Sequence, residues 1–419
     1  EIGEVIDADV RKQGLLQNDI VLGTALLDMY GKCGELVKAR EVFDFLAIRD
    51  VVAWTALISG YAQHGFSDEA LKCFRQMQDE GLSPHAVTFI SILRVCVTER
   101  SFKIVDAINA EVRKEGLLQR DLMLGNTLVD TYAKSGAFDK AREVFEHLPV
   151  RDVVSWTALI AGYTEFKLGD EALKCFGQMR EEGVSPDAMT YNCVLKACGI
   201  IGSLQIGEDI DAEVRRRGLL HKDLVLGNTL VDMYAKCGAI EKSREVFEQL
   251  EVQDIVSWTA LMAGYAQLGE AQAVLGLFNK MKAKGVMPTL VTFLVSLTAC
   301  SHAGLLLEGE QLFDDMCVVY GLSPTLDHYT CMIDLLGRAG HLDKAKVLLD
   351  KVQSSDHLPL LLAIMSACYK WVNLELGRWA FEQSLQLDEN CASAFVCMKN
   401  IYAAVGMLTE ANENCGLTR

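Results

Sequence analysis

Proline is scarce in this chain, six among 419 residues, and no apolar run approaches the ~18 to 20 residues that a bilayer-spanning helix requires. The first scarcity leaves little room for extended loops; the second argues against a membrane protein. Basic residues are in deficit, with 40 Lys and Arg against 57 Asp and Glu and a formal net charge of −17. That balance excludes a protein that grips nucleic acid by bulk neutralisation of phosphate. Catalytic constellations are missing too. None of the eight histidines is followed by Glu two residues on, and no two cysteines are three apart, so the His-x-Glu and Cys-x-x-Cys clamp of the zinc-dependent base deaminases is not in this sequence. No Gly-x-x-x-x-Gly-Lys phosphate loop occurs, no carboxylates cluster for metal binding, and neither a cofactor nor a catalytic residue is expected.

Half of the residues are apolar, enough to bury a core. The 14 cysteines are scattered through a long hydrophobic chain, unlike a small secreted disulfide scaffold, so a reducing compartment is expected. Glu1 opens on an acidic segment without the character of a targeting sequence.

The dominant feature is internal repetition. Val51-Val-Ala-Trp-Thr-Ala-Leu-Ile58 returns as Val153-Val-Ser-Trp-Thr-Ala-Leu-Ile160 and as Ile255-Val-Ser-Trp-Thr-Ala-Leu-Met262, each time after 102 residues. Asp19, Asp121 and Asp223, each followed by an apolar segment and Gly, keep the same interval, as do Pro84, Pro186 and Pro288. Each 102-residue unit holds three variants of one theme, for instance 50–84, 85–120 and 121–151, so the elementary repeat is about a helix pair long. Trp156, Leu159, Ile160 and Tyr163 fall at i, i+3, i+4 and i+7, and Ala172, Cys175, Phe176 and Met179 do the same in a second helix. Gly169 with Asp170 is expected to turn the chain between them, and Gly183 with Pro186 to end the second. Two short amphipathic helices cannot bury their stripes alone. Stacked pairs can, which predicts an all-α fold, a right-handed α-solenoid superhelix of helix-turn-helix repeats whose first helices line one concave face.

Those repeated residues, with Leu226-Gly-Asn-Thr-Leu-Val-Asp-Met-Tyr-Ala-Lys-Cys-Gly238 and Tyr329-Thr-Cys-Met-Ile-Asp-Leu-Leu-Gly-Arg-Ala-Gly340, resemble the plant-type pentatricopeptide repeat family, in its class that cycles long, short and standard repeats. The resemblance places standard repeats at 50–84, 152–186 and 254–288, long ones at 85–120, 187–222 and 289–324, and short ones at 19–49, 121–151, 223–253 and 325–356. Residues 1–18 resemble the second helix of a truncated long repeat, ahead of an array over 19–356. Residues 357–419, through Leu362-Ala-Ile-Met-Ser-Ala-Cys368, Glu375-Leu-Gly377 and Asn400-Ile-Tyr-Ala-Ala404, resemble the C-terminal extension motifs of organellar RNA-editing factors, the second one cut short at Arg419.

What the resemblance implies is sequence-specific binding of single-stranded RNA, one base per repeat, in a mitochondrion or chloroplast. The chain would be the target-recognition part of a C-to-U editing factor, expected to be a monomer. A deaminase or editing accessory protein would join through the C-terminal extension, the deaminase coming from a further C-terminal domain or in trans. Two side chains per repeat would select the base: Thr24 with Asp50 and Thr157 with Asp187 for guanine, and Asn126 with Asp152, Asn192 with Asp223 and Asn228 with Asp254 for uracil. Thr55 with His85 and Thr259 with Thr289 keep a purine-type hydroxyl beside an unusual partner, and Ile90 and Leu294 cannot hydrogen-bond at all. Chemically, an ionised carboxylate can only accept, so a closing Asp favours bases with a ring N–H. The family also sets an aliphatic side chain against each base face, a place filled here by Val21, Val52, Met123, Val154, Val225 and Val256.

Charge on the first helices differs from that of the whole chain. Lys32, Arg94, Lys134, Lys196 and Lys236 stand against Asp28, Asp130, Glu165 and Asp232, a net of +1. Lys32, Lys134 and Lys236 recur at 102 with Arg338 in the matching place, each near a first-helix end where a phosphate could be met. Plainer readings stand beside these. Trp54, Trp156 and Trp258 lie on apolar stripes and read as core, a Thr, Asn or Asp at a helix start is equally a cap, and the cations are equally solvated helix ends. A rival for the whole chain is an α-solenoid scaffold of tetratricopeptide-like type that binds protein.

Overall fold

The computed structural model describes residues 7–10, 12, 16, 19–99, 102–220, 223–352 and 357–407. Most of the segment 1–18 and the last twelve residues of the extension lie outside them. Among the described residues the chain is helical throughout, and it divides into two compact units, Glu1–Ile201 and Gly202–Arg419. The first unit carries α1 (Ile20–Cys33), α2 (Leu36–Phe45), α3 (Val51–Gln63), α4 (Ser67–Asp79), α5 (Ala86–Glu99), α6 (Phe102–Lys114), α7 (Leu122–Lys134), α8 (Phe138–Glu146), α9 (Val153–Glu165), α10 (Gly169–Glu181) and α11 (Ala188–Ile201). The second carries α12 (Leu204–Arg216), α13 (Leu224–Lys236), α14 (Ile240–Gln249), α15 (Ile255–Gln267), α16 (Ala271–Ala283), α17 (Leu290–Ala303), α18 (Leu306–Asp314), α19 (Leu326–Ala339), α20 (Leu342–Leu349), α21 (Leu358–Trp371), α22 (Leu374–Leu387) and α23 (Ala392–Val405).

Within each unit, every first helix packs along the first helix of the next repeat, while no two successive second helices pack together to a comparable extent. The first helices are therefore the tight inner layer of each α-solenoid unit and the second helices the splayed outer one. Glycine permits the inner spacing. A Cβ on Gly60 would stand 3.0 Å from the Gly31 backbone of the neighbouring helix, and one on Gly162 would stand 2.5 Å from Ala133 Cβ.

The recurrent tryptophans are core, as their stripes imply. Trp54, Trp156 and Trp258 are at most 2% exposed and meet Phe43, Phe145 and Phe247 edge-on at 4.5, 4.6 and 4.7 Å between ring centroids. Three bridges repeat on the outer layer at the 102 interval: Lys140 to Asp106 at 2.7 Å, Lys242 to Glu208, and Lys344 to Glu310 at 2.7 Å.

Local chemistry sets the helix starts. Asp19, Asp50, Asp121, Asp152, Asp223 and Asp254 each sit in extended backbone and accept from an N–H of the first turn, satisfying donors a helix leaves orphaned. The second helix of the repeat at Asp152 ends as expected, at Gly183 with φ 74°. Its turn differs from the sequence reading. Gly169 is already helical and buried, and the chain turns at Phe166–Leu168 with Lys167 at φ 60°. A side chain on Gly169 would meet Ile201 Cγ2 at 2.5 Å, so the position is glycine for packing, not for turning.

Candidate nucleic-acid interface

The second residue of nine consecutive first helices is an exposed aliphatic side chain. Val21, Val52, Met123, Val154, Val225 and Val256 are 54–75% exposed, and Val87, Met189 and Val291 complete the series at 54, 61 and 59%. The last three belong to the long repeats, and their signal in the sequence was their place two residues after His85, Asp187 and Thr289. An apolar side chain gains nothing from such exposure, and its recurrence at the same helix position within each unit singles these residues out.

One turn further along these helices stand the polar residues expected to select the base. Asn126 is buried, and its Nδ2 donates to both carboxylate oxygens of Asp152 at 3.1 and 3.3 Å; Asn228 does so to Asp254 at 3.0 Å twice. Because a carboxylate only accepts, the amide nitrogen must face it and Oδ1 must point elsewhere. Oδ1 of Asn126, Asn192 and Asn228 is buried without a hydrogen-bond partner. A buried acceptor left unpaired costs about 1 to 3 kcal/mol. Asn192 lies in the first unit and Asp223 in the second.

The closing carboxylates are more occupied than the sequence reading supposed. Asp152 Oδ1 also accepts from Ser155 N at 2.9 Å and Asp254 Oδ1 from Ser257 N at 2.9 Å, so each Asp caps a helix and orients an Asn together. Thr157 and Asp187 do not touch; the Thr190 hydroxyl stands between them, 2.7 Å from Thr157 Oγ1 and 2.8 Å from Asp187 Oδ1. Thr88 stands likewise between Thr55 and His85, and Thr292 between Thr259 and Thr289. Thr24 and Asp50 are not joined: Thr24 donates to the Ile20 carbonyl at 2.7 Å, and Asp50 accepts from Ala53 N at 2.9 Å.

The expected phosphate cations are already paired. Lys32, Lys134, Lys236 and Arg338 bridge Asp28, Asp130, Asp232 and Asp334 one turn earlier, at 2.7, 2.8, 2.6 and 2.9 Å. Such i,i+4 pairs on a helix surface form readily, and a phosphate would have to compete with them. Arg94 and Lys196 differ. Both are exposed and, among the described residues, have no ion-pair partner, and Lys196 lies one turn beyond Asn192 on the same helix face. Among the described residues no group of three His, Cys, Asp or Glu could hold a metal ion, and no helix is long and apolar enough to cross a membrane. Burial pushes the Cys96, Cys175 and Cys300 thiols up to about 11 and Cys368 to about 12, which makes them packing groups rather than nucleophiles.

A helix pair repeated along the chain defines a class, the helical repeat proteins. Profiles place this chain within it. One described as "PPR repeat family" matches residues 49–98, 151–199 and 253–302, and others described as "PPR repeat" match 24–47, 126–153, 228–255, 291–318 and 320–353. Among curated relatives of Arabidopsis thaliana, a mitochondrial pentatricopeptide repeat-containing protein is 36% identical over 393 residues, covering 93% of this chain and 62% of that protein. A chloroplastic one is 34% identical, covering 98% of this chain and 47% of that protein. A second mitochondrial one is 32% identical, covering 98% of this chain and 74% of that protein. The chain belongs to the pentatricopeptide repeat family. It spans about half to two-thirds of the first relatives' length, and three of those four are named mitochondrial or chloroplastic. The solved pentatricopeptide repeat protein PPR10 from maize aligns over 98% of this chain and 75% of its own at 18% identity, with a TM-score of 0.48. A second structure holds that maize protein in complex with an 18-nt RNA element, aligned over 94% of this chain and 78% of its own at 17% identity, with a TM-score of 0.40.

Proposed function

We propose that the repeats of this chain bind single-stranded RNA one base per repeat, as the target-recognition part of an organellar C-to-U editing factor whose deaminase is a separate element. The observation that carries the reading is the pairing of an exposed aliphatic side chain with a buried, unpartnered Asn acceptor at Met123 with Asn126 and at Val225 with Asn228. The aliphatic group covers a base face. The Asn carbonyl accepts from the ring N–H of uracil, and the closing Asp holds the amide in that sense. Read in chain order, the selectors ask for guanine or another purine, a purine, any base, U-G-U-U, a purine and any base, with the RNA running 5′ to 3′ from the N-terminal repeats as in the family.

The domain partition follows the same reading, with 1–18 closing a long repeat, 19–356 forming the array and 357–419 the extension. The described part of the extension, 357–407, is helical, and Tyr369 and Val372, each about half exposed, offer an apolar spot for a deaminase or accessory protein. The test is an electrophoretic shift with the nine-base RNA, its scrambled form and a duplex of it. Preference for the single-stranded matched oligomer is expected. Equal binding of all three would exclude base reading and favour a protein-binding scaffold.

A further inference from the structure

The ninth residue of each first helix stands seven places after the exposed aliphatic one. Seven residues fall about 20° short of two full turns, so the two share one stripe, about 10 Å apart along the axis. What occupies the ninth place changes from repeat to repeat in a cycle of three. In the repeats at 19–49, 121–151, 223–253 and 325–356 it is Asp28, Asp130, Asp232 and Asp334, each bridged by a cation one turn later. In those at 50–84, 152–186 and 254–288 it is small and uncharged, Ser59, Ala161 and Ala263. In those at 85–120 and 187–222 it is a cation, Arg94 and Lys196, both exposed and, among the described residues, in no ion pair. The repeat at 289–324 has Thr298 there, whose hydroxyl donates to the Leu294 carbonyl at 2.8 Å.

A phosphate that meets Lys32 or Lys134 must first take it from an Asp of the same helix, and the carboxylate left behind repels the strand. Arg94 and Lys196 have no such pair to break. They are the cations of the first helices of the first unit that stand outside an ion pair, with the exposed Glu165 at the end of α9 opposing them. With one base per repeat, their separation of three repeats puts them beside the third and sixth nucleotides. Four residues of helix, about 6 Å, separate each from the selector position of its own repeat, which a long cationic side chain spans. At the third nucleotide Ile90 can make no hydrogen bond to a base, so a hold on the backbone is what that repeat can add.

We propose that Arg94 and Lys196 are phosphate clamps that hold the RNA backbone at the third and sixth nucleotides, whatever bases stand there. This rests on the RNA-binding reading above.

The test uses the full chain, the nine-base RNA and its scrambled form, with fluorescence anisotropy across a salt series. Arg94→Gln and Lys196→Gln should each weaken both RNAs by the same factor, about two- to fivefold, the range of an exposed ion pair. Each should also flatten the logarithmic salt slope by about 0.7, the share of one single-strand phosphate. Lys72→Gln removes an equally exposed charge from α4 in the outer layer and should leave the slope as it is. Neither groove cation has a partner to lose, so both variants should keep the unfolding midpoint of the unaltered protein. The clamped linkages are located with nine-base RNAs that carry one uncharged methylphosphonate at successive linkages, the adjoining sugar being 2′-O-methyl there and in the phosphate control. Two linkages three nucleotides apart should weaken binding, and Lys196→Gln should cancel the effect at the 3′ one of the two while leaving the other. An effect spread evenly over all linkages, or a Lys72→Gln slope as low as that of the groove variants, would reduce the clamp to general charge and overturn it. Unchanged slopes in both groove variants, with the matched RNA still preferred, would overturn the clamp and keep base reading. Equal binding of matched and scrambled RNA, with the slopes lowered as expected, would overturn base reading and keep the clamp.

Discussion

At the scale of single residues, the proposed uracil sites turn on one atom. Asn228 Oδ1 is buried and unpartnered while its Nδ2 is fixed by both oxygens of Asp254. Asn228→Val removes that acceptor and keeps the volume roughly constant, so binding of the matched RNA should weaken by about 1 to 3 kcal/mol, and replacement of the seventh base should then matter little. Competition binding measures both. Cysteine ionisation gives a second residue-scale expectation. Folding raises the Cys96, Cys175, Cys300 and Cys368 thiols above their ordinary value near 9, through burial. Tyr132 and Tyr234 are raised too, by burial first and then by Asp106 and Asp211. A raised acid stabilises the fold fully below its unfolded pKa and loses that contribution as pH climbs through the folded one. Stability to urea should therefore hold near neutral pH and decline from about pH 9 upwards, and a flat profile to pH 11 would contradict it.

At the scale of helices, close approach of the inner layer is the sensitive feature. A Cβ on Gly162 collides with Ala133, with no flexible side-chain end to give way. Gly162→Val should cost roughly 1 to 3 kcal/mol or more by overpacking, read as a lower urea midpoint, whereas Gly177→Ala, where a Cβ meets nothing within 4 Å, should be tolerated. Caps behave more mildly. Asp152→Ala loses the bond to Ser155 N and the hold on Asn126 together, so about 1 kcal/mol of stability and the fourth-base preference should fall in one variant. A loss of stability with preference intact would separate cap from selector. How much of this was legible differs by feature. Trp156 and Phe176 declared themselves core by helical spacing, and Asp152 declared a helix start by its chemistry. Thr190 did not, because its meaning depends on Thr157, 33 residues away, and proximity across a helix layer is not a local property. Gly169 misled for the same reason: glycine signals a turn locally, and here its contact with Ile201 is what excludes a side chain.

At the scale of the whole chain, charge governs how RNA would be held. The net charge is −17, and the recurrent cations Lys32, Lys134, Lys236 and Arg338 are each paired within their own helix. Few counterions can then be released on binding, so affinity should fall only shallowly with salt, with a logarithmic slope of roughly two or less if Arg94 and Lys196 alone meet phosphates. Fluorescence anisotropy across a salt series tests this, and a steep slope without base preference would point to unspecific electrostatic attraction. Periodicity of 102 residues, helix spacing, the helix-starting Asp residues and the family itself were determined by the sequence alone, since each depends on neighbours within a turn or on exact repetition. Tertiary structure alone decided which polar atoms remain unpartnered and which buried hydroxyls join one repeat to the next. Those depend on distances between residues about 30 positions apart, which the packing of one helix against another sets and no local pattern encodes.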